Sequence, residues 1–472
     1  MIKNEDFKSE AYSFIDWISG YFNHVENFPV RSQVNYGDIK KRLPEHPPYS
    51  GEPIEAIFND FKNVIIPGVT HWQSPRNFAY FPANSSIPSV LAEILTAALG
   101  VQAMKWITSP AATELEEVVM DWLRQMIDLP EKFKGVIYDT ASIASLSAVV
   151  AARERITGFK SNSFGTGKLP LRYYCSSETH SSIDKAIRIA GIGSENLVKV
   201  GTDIKYGMDP DQLEKSIKKD LGNNLLPTCI IATIGTTGTC AIDPVGEIAE
   251  IAKKYKVWLH IDAAFAGSAL VLPEFRKEIH GLENADSIVF NPHKWMFTNF
   301  DCSVFFIKDR NHLQKTFSMV PEYLKTPDAN EASDYSNWSL QLGRRFRSLK
   351  LWFVIRNFGV DEIKERIREH INLAIYFEQL INNHKDFELV VSRNLAVVCF
   401  RYHPEPVSEK NDLNKLNFSL LETINKTGKA YLSHTVIDDK FTLRFVCAQT
   451  NTKKTHVTEA FNTIVNCSKQ ID

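Results

Sequence analysis

The chain has 472 residues, enough for two or three domains around one large core. Hydrophobic residues make up 44% and charged residues 23%, as in ordinary soluble globular proteins. A formal net charge of −2 leaves no field to recruit nucleic acid or an anionic membrane.

Residues 1–85 contain helical pieces broken by Pro29, Pro44, Pro47, Pro48, Pro67 and Pro75. The start, "MIKNEDFKSEAYSF", carries acids and has no hydrophobic signal core, so a cytoplasmic location is expected. "PEHPPYSGEP" is a turn-rich linker. Such a segment cannot form a compact core alone and is expected to wrap something, such as a second subunit. Farther on, no apolar run approaches the ~18 residues of a membrane helix. "TELEEVVMDWLRQMI" places Leu115, Val118, Val119, Trp122, Leu123, Met126 and Ile127 on one helical face.

Residues 86–360 alternate β-rich runs ("GVIYDT", "RYYCSS", "CIIATIG", "VWLHIDA", "SIVFNPH", "SVFFIKD") with helix-length stretches such as "PDQLEKSIKKDL" and "VGEIAEIAKKY". Strands apolar on both faces and separated by helices predict an α/β fold, its mainly parallel sheet covered on both sides. Residues 361–472, with "FELVVS", "LAVVCFRY" and "FTLRFVCA", predict a small α+β domain. Seven scattered cysteines without a CxxC pair read as reduced thiols, and no metal site is expected.

In open α/β sheets ligands bind beyond the carboxyl ends of the strands. There the sequence places Thr140, Ala141 and Ser142, then His180, then Thr236 and Thr237, then His260 and Asp262, and finally Asn291, His293 and Lys294. Each alone has an ordinary explanation: a helix cap for Ser142 or Asp262, a satisfied core histidine for His180, a snorkelling lysine for Lys294. Together they meet the needs of pyridoxal 5'-phosphate. A lysine amine holds the aldehyde as an imine, a carboxylate keeps the pyridine nitrogen protonated, and a hydroxyl-rich helix start receives the phosphate. An imidazole such as His180 can cover the ring face.

The segments "NPHKW", "HIDAAFAGSA", "SPAATELEEVVMDWL" and "LGRRFRSLKLWFV" resemble the aromatic-L-amino-acid decarboxylases of the group II pyridoxal-phosphate decarboxylases, over residues 10–465. The resemblance implies a fold-type I architecture with an N-terminal helical dimerisation segment, and a homodimer with its sites at the subunit interface. It implies that Lys294 carries the cofactor, Asp262 pairs with the ring nitrogen and His180 stacks on the ring. Thr237 would sit near the phenolic oxygen, and Thr140, Ala141, Ser142, Asn291 and His293 on the phosphate side. Tyr335, in the polar stretch "DANEASDYSNWSLQLGRRF", is expected to protonate Cα.

Relatives with phenylalanine at that tyrosine, or asparagine at the histidine, make an aldehyde instead. Tyr335 and His180 therefore predict plain decarboxylation to an amine. The resemblance makes Trp72, Tyr80, Phe81 and Pro82 an aromatic substrate wall, joined by Ala83, Gln102, Met104 and Gly343. An apolar wall without an offered cation fits a flat apolar side chain. Gly343 goes with room for an indole, and Ala83 lacks a hydroxyl common in relatives acting on catechols. Tryptophan is therefore expected ahead of phenylalanine, tyrosine and dihydroxyphenylalanine. The alternatives are an aldehyde synthase or a decarboxylase of another amino acid on the same scaffold.

Overall fold

The computed structural model describes residues 4–319, 333–406 and 409–471. The chain falls into two compact units. The larger contains residues 83–371 and 391–397; the smaller joins 1–82, 372–390 and 398–472. The sequence suggested three consecutive parts divided near 85 and 360. Here the N-terminal segment shares a unit with the C-terminal one. The proline-broken segment has too few apolar residues for its own core and uses that of its neighbour. Phe78 stacks on Phe445 at 3.9 Å, and Phe445 on Phe377 at 3.7 Å. The Val30 N–H also donates to the Gly428 carbonyl at 2.8 Å.

The larger unit is built on seven strands: β1 (Lys134–Tyr138), β2 (Leu171–Ser176), β3 (Leu197–Val200), β4 (Leu226–Thr233), β5 (Trp258–Asp262), β6 (Ser287–Phe290) and β7 (Ser303–Ile307). Their order is β1-β7-β6-β5-β4-β2-β3. β7 runs antiparallel to both β1 and β6, and the remaining pairs are parallel. Six strands therefore share one direction and end at one edge. β5, β6 and β7 are buried along their whole length, as expected when helices cover both faces. Every strand run read from the sequence in this unit is present. β3, "LVKV", was missed because it is four residues long and half-exposed at the sheet margin.

Local chemistry sets the crossover helices. Asp209 caps the helix Pro210–Gly222 by accepting from the Asp211 and Gln212 N–H groups, and Pro210 occupies the first turn. The helix Ala141–Thr157 stops at Gly158, whose φ of 60° suits glycine. The helix Pro110–Met126 buries Ala112, Glu116, Val119, Met120 and Leu123, and leaves Val118 44% exposed. Its buried face is thus rotated from the one read in the sequence, because a carboxylate lies inside. Glu116 accepts from Arg344 at 2.6 Å and from the Ile137 N–H at 2.8 Å. Arg344 also donates to the carbonyls of Ile137 and Ala103, each at 2.9 Å. This buried pair ties down the end of β1, three residues before Thr140.

The smaller unit has a four-stranded sheet, β8 (Phe387–Leu389), β9 (Val397–Tyr402), β10 (Ser433–Ile437) and β11 (Lys440–Val446), in the order β10-β11-β9-β8. Among the described residues no helix is long and apolar enough to cross a membrane.

Candidate active site

Of the residues singled out from the sequence in the larger unit, Thr140, Ala141, Ser142, His180, Thr237, Asp262, Asn291, His293 and Lys294 lie at one edge, beyond the carboxyl ends of β1, β2, β4, β5 and β6. Asp262 is the last residue of β5, in register with Thr233 of β4 and Val289 of β6. It is 5% exposed. Its Oδ1 accepts the Ala264 N–H at 3.1 Å, and its Oδ2 has no hydrogen-bond partner among the described residues. Beside it the Thr233 hydroxyl is buried and also unpartnered among the described residues.

Beyond β6 the chain makes a single turn, Pro292–Trp295, that carries Lys294 half-buried. Trp295 anchors this turn. Its ring stacks on Phe265 at 4.5 Å, and its Nε1 donates to His370 at 2.9 Å. The indole thus fixes the turn. Asn84 fixes it as well. Its side chain donates to the Lys294 carbonyl at 2.7 Å, and its N–H to the His293 carbonyl at 2.9 Å. Sequence reasoning missed Asn84. The one available signal was the polar cluster "ANSS" ahead of a helix, which reads as an ordinary turn.

His293 is buried, and its Nδ1 accepts the Cys302 N–H at 2.9 Å. Burial, and then the Lys294 ammonium, push its pKa down to about 3. The ring is therefore neutral, with its proton on Nε2. Asn291 accepts from the Ser303 hydroxyl at 2.7 Å through Oδ1, which leaves its NH₂ free to donate. Thr140 is the residue before the helix Ala141–Thr157. Its N–H donates to Asp139 at 2.6 Å, and Gln341 holds the other carboxylate oxygen at 2.9 Å. Ser142 and Thr237 are exposed at the same edge, and Ala141 is half-buried.

His180 follows β2. Burial, and then Lys294, lower its pKa, while Asp262 opposes them. Its ring is thus under the direct influence of both groups. His260, two residues before Asp262, is a core residue instead. Its nitrogens meet Ser287 at 2.9 Å and Ser145 at 3.1 Å, and burial lowers its pKa to about 4.

Tyr335 is not at this edge. It is 2% exposed, packs against Trp338 at 5.4 Å, and lies under the Arg344 guanidinium at 4.7 Å. It lines a cavity of about 260 Å³ with Phe133, Lys134 and Gly135, at the amino end of β1. Five residues of strand, roughly 15 Å, separate that end from the Thr140 turn. Burial also raises its pKa well above the ordinary phenol value. The expected proton donor is thus an interior side chain, because residues 333–335 and 338 are packed into the core.

Of the substrate-wall residues, Trp72, Tyr80, Phe81 and Pro82 belong to the smaller unit. Trp72 and Tyr80 lie 6.0 Å apart, and Arg444 covers Phe81 at 5.3 Å. Ala83, Gln102, Met104 and Gly343 belong to the larger unit. There the Gln102 side chain accepts the Arg344 N–H at 3.2 Å, and Ser336 donates to the Met104 carbonyl at 2.9 Å.

The conserved domain described as "Pyridoxal-dependent decarboxylase conserved domain" matches residues 37–403. The chain belongs to the pyridoxal-dependent decarboxylases. Tryptophan decarboxylase 2 of Oryza sativa subsp. japonica is 44% identical over 97% of this chain and 93% of its own length. Phenylacetaldehyde synthase of a Rosa hybrid cultivar is 41% identical over 99% and 94%. The crystal structure of Oryza sativa TDC with PLP and tryptamine superposes with a TM-score of 0.96 at 37% identity, covering 100% of this chain and 99% of that one.

The cofactor of this decarboxylase is pyridoxal 5'-phosphate, and the donor set fits it. Asp262 offers a buried carboxylate oxygen, unpaired among the described residues, for a protonated ring nitrogen. Asn291 and His293 each have their acceptor atom engaged, Oδ1 by Ser303 and Nδ1 by Cys302, which leaves N–H groups able to donate, as an anion requires. The helix beginning at Ala141 adds free N–H groups of its first turn.

Proposed function

We propose that this chain decarboxylates an aromatic L-amino acid to its arylethylamine and carbon dioxide, with tryptophan preferred over phenylalanine, tyrosine and dihydroxyphenylalanine. The observation that carries this reading is the meeting of Lys294, Asp262 and His180 at one sheet edge in a member of this family. When bound, the cofactor supplies an aldehyde for the substrate amine and a ring that draws electrons from the Cα–carboxylate bond. Lys294 holds the aldehyde, Asp262 keeps the ring nitrogen charged, and His180 covers the ring face. Thr140, Ala141, Ser142, Asn291 and His293 receive the phosphate, and Thr237 lies by the phenolic oxygen. The remaining task is orientation: the carboxylate must leave perpendicular to the ring plane, and a proton must then reach Cα.

With Tyr335 in the interior, the proposed source of that proton is the other tyrosine of the same stretch, Tyr323, in "PEYLKT", which lies outside the described residues. The substrate preference rests on Gly343, on the missing hydroxyl at Ala83, and on the likeness to a rice tryptophan decarboxylase. An aldehyde synthase is the second reading, favoured by the 41% identity to the rose enzyme. His180, in place of asparagine, weighs against it.

The working unit proposed is a cytoplasmic homodimer. The helix Ile87–Leu99 leaves Ile87, Leu91, Ile94, Leu95 and Leu99 exposed at helical spacing, between 41% and 64%. A stripe of this kind marks a contact surface.

Product analysis tests the proposal. The cofactor-loaded protein is offered tryptophan, phenylalanine, tyrosine and dihydroxyphenylalanine, and amines, carbon dioxide, ammonia and peroxide are measured. Tryptamine with carbon dioxide alone is expected. Ammonia and peroxide rising in step with product would replace this reading by the second, and no turnover of any aromatic amino acid would end both.

A further inference from the structure

His180 stands two residues ahead of Ser182, where the helix Ser182–Ile189 begins. That helix has no side-chain cap from its N-cap residue, Ser181. The imidazole takes the part instead. Its Nδ1 accepts the Ser182 N–H at 3.2 Å, and the Ser182 hydroxyl lies 2.9 Å from the same atom. The His180 carbonyl meanwhile accepts from Ile183 at 3.1 Å. Ser182 is itself buried. An N–H cannot accept a hydrogen bond, so the Nδ1 that receives the Ser182 N–H must present a lone pair. A neutral imidazole has one proton, and it is therefore on Nε2. Nε2 makes no hydrogen bond among the described residues.

We infer that Ser182 is a positioning residue: its N–H and hydroxyl hold His180 at Nδ1, so that the ring keeps one orientation and turns a protonated Nε2 toward the site. This rests on the reading of the Lys294 edge as the reaction centre. Swinging the ring, or moving its proton to Nδ1, would break both bonds to Ser182. The hydroxyl matters beyond the N–H because it is the shorter contact, 2.9 Å against 3.2 Å. Other polar residues near His180 do not share this arrangement. Ser176 and Thr179 hold each other at 3.1 Å, and Asp184 is engaged by Lys199 at 2.9 Å. The tautomer of His180 is thus set by the first residue of the helix that follows it.

The test uses the full-length holoenzyme with ¹⁵N-labelled histidine, with His180→Gln to assign the signal. Two-bond correlations report which ring nitrogen carries the proton. Wild type and Ser182→Thr are expected to show a bare Nδ1 and a protonated Nε2. Ser182→Ala keeps the backbone N–H but loses the hydroxyl. Its Nδ1-protonated form is expected to rise about 3- to 10-fold, the worth of one hydrogen bond. Its kcat should fall in step with the loss of the Nε2-protonated fraction while KM changes less than about twofold, as expected for an interaction made in the transition state. Ser182→Thr should restore both. A wild-type Nδ1 carrying the proton overturns the inference, as does a Ser182→Ala protein with wild-type tautomer and kcat, or a threonine variant no better than alanine. Cofactor uptake separates the two levels. A wild type with no imine absorbance band fails the site reading and takes this inference with it. A normal band with an unaltered Ser182→Ala signal fails Ser182 alone.

Discussion

Replacing Tyr335 by phenylalanine separates the two places this tyrosine can act. The structure surrounds its ring with Trp338 and Arg344 and gives its hydroxyl no hydrogen bond among the described residues. Removing the oxygen therefore breaks no pair. The ring, its packing and the contact with Arg344 all survive, and a change within about 1 kcal/mol is expected. Turnover should stay within about twofold of wild type, and the product should remain an amine. A side chain that delivered the Cα proton would behave differently, since a positioned general acid is worth roughly 10²- to 10⁴-fold in rate. The companion change, Tyr323→Phe, is expected to show that loss, with product shifting toward aldehyde. The assay is single-substrate turnover of each holoenzyme, with amine and aldehyde separated by mass spectrometry and stability followed by urea unfolding. A loss of 100-fold or more in Tyr335→Phe with the urea midpoint unchanged, an order set by that general-acid range, would refute the reasoning from burial.

Four further outcomes follow from the same geometry. Lys294→Ala should abolish turnover and the imine absorbance while leaving the circular dichroism unchanged; any retained activity would remove the lysine from its role. Glu116→Ala leaves the Arg344 guanidinium buried without its carboxylate, and should cost about 3–5 kcal/mol in urea unfolding; a loss below about 1 kcal/mol would mean that water or another acceptor replaces it. His260 has a folded pKa of about 4, below its ordinary 6.5. The unfolded chain thus binds the proton more readily, so this contribution is complete above 6.5 and is lost as pH falls through about 4. His260→Asn should accordingly show a smaller drop in urea midpoint between about pH 7 and pH 5 than wild type, and an equal drop would assign the pH effect elsewhere. Leu91→Glu, on the exposed stripe, should yield a monomer by sedimentation with weaker cofactor retention; an unaltered mass would place the subunit contact on another face.

The central strands were legible because a strand covered on both faces must be apolar throughout, as "SIVF" and "CIIAT" are. β3 and β10 lie at sheet margins, where half-exposure mixes polar residues into the run and erases that sign. Lys294 and Asp262 were legible from their position just after apolar runs. Glu116 was not, because a glutamate in a helix reads as solvent-facing until its arginine, 228 positions away, is known. Tyr335 was misplaced for the converse reason. "SDYSNW" is polar in composition, yet its two aromatic residues pack inward. Nothing local distinguishes such a re-entry from a surface loop. Asn84 escaped notice because it acts on two carbonyls, and carbonyl partners leave no mark in a sequence.

The reversed strand β7 has a geometric consequence. It stands between β1 and β6, so the Thr140 turn and the Lys294 turn are two strand spacings apart, roughly 9–10 Å. Between them lies not another carboxyl end but the start of β7, where Ser303 steadies Asn291. The sheet thus works as a gauge whose opening is set by backbone hydrogen bonds rather than by side chains. On the proposed reading, substitutions at Gln102, Met104 or Gly343 would alter what is accommodated without resetting that gauge, whereas a change of strand order would resize it for every ligand at once.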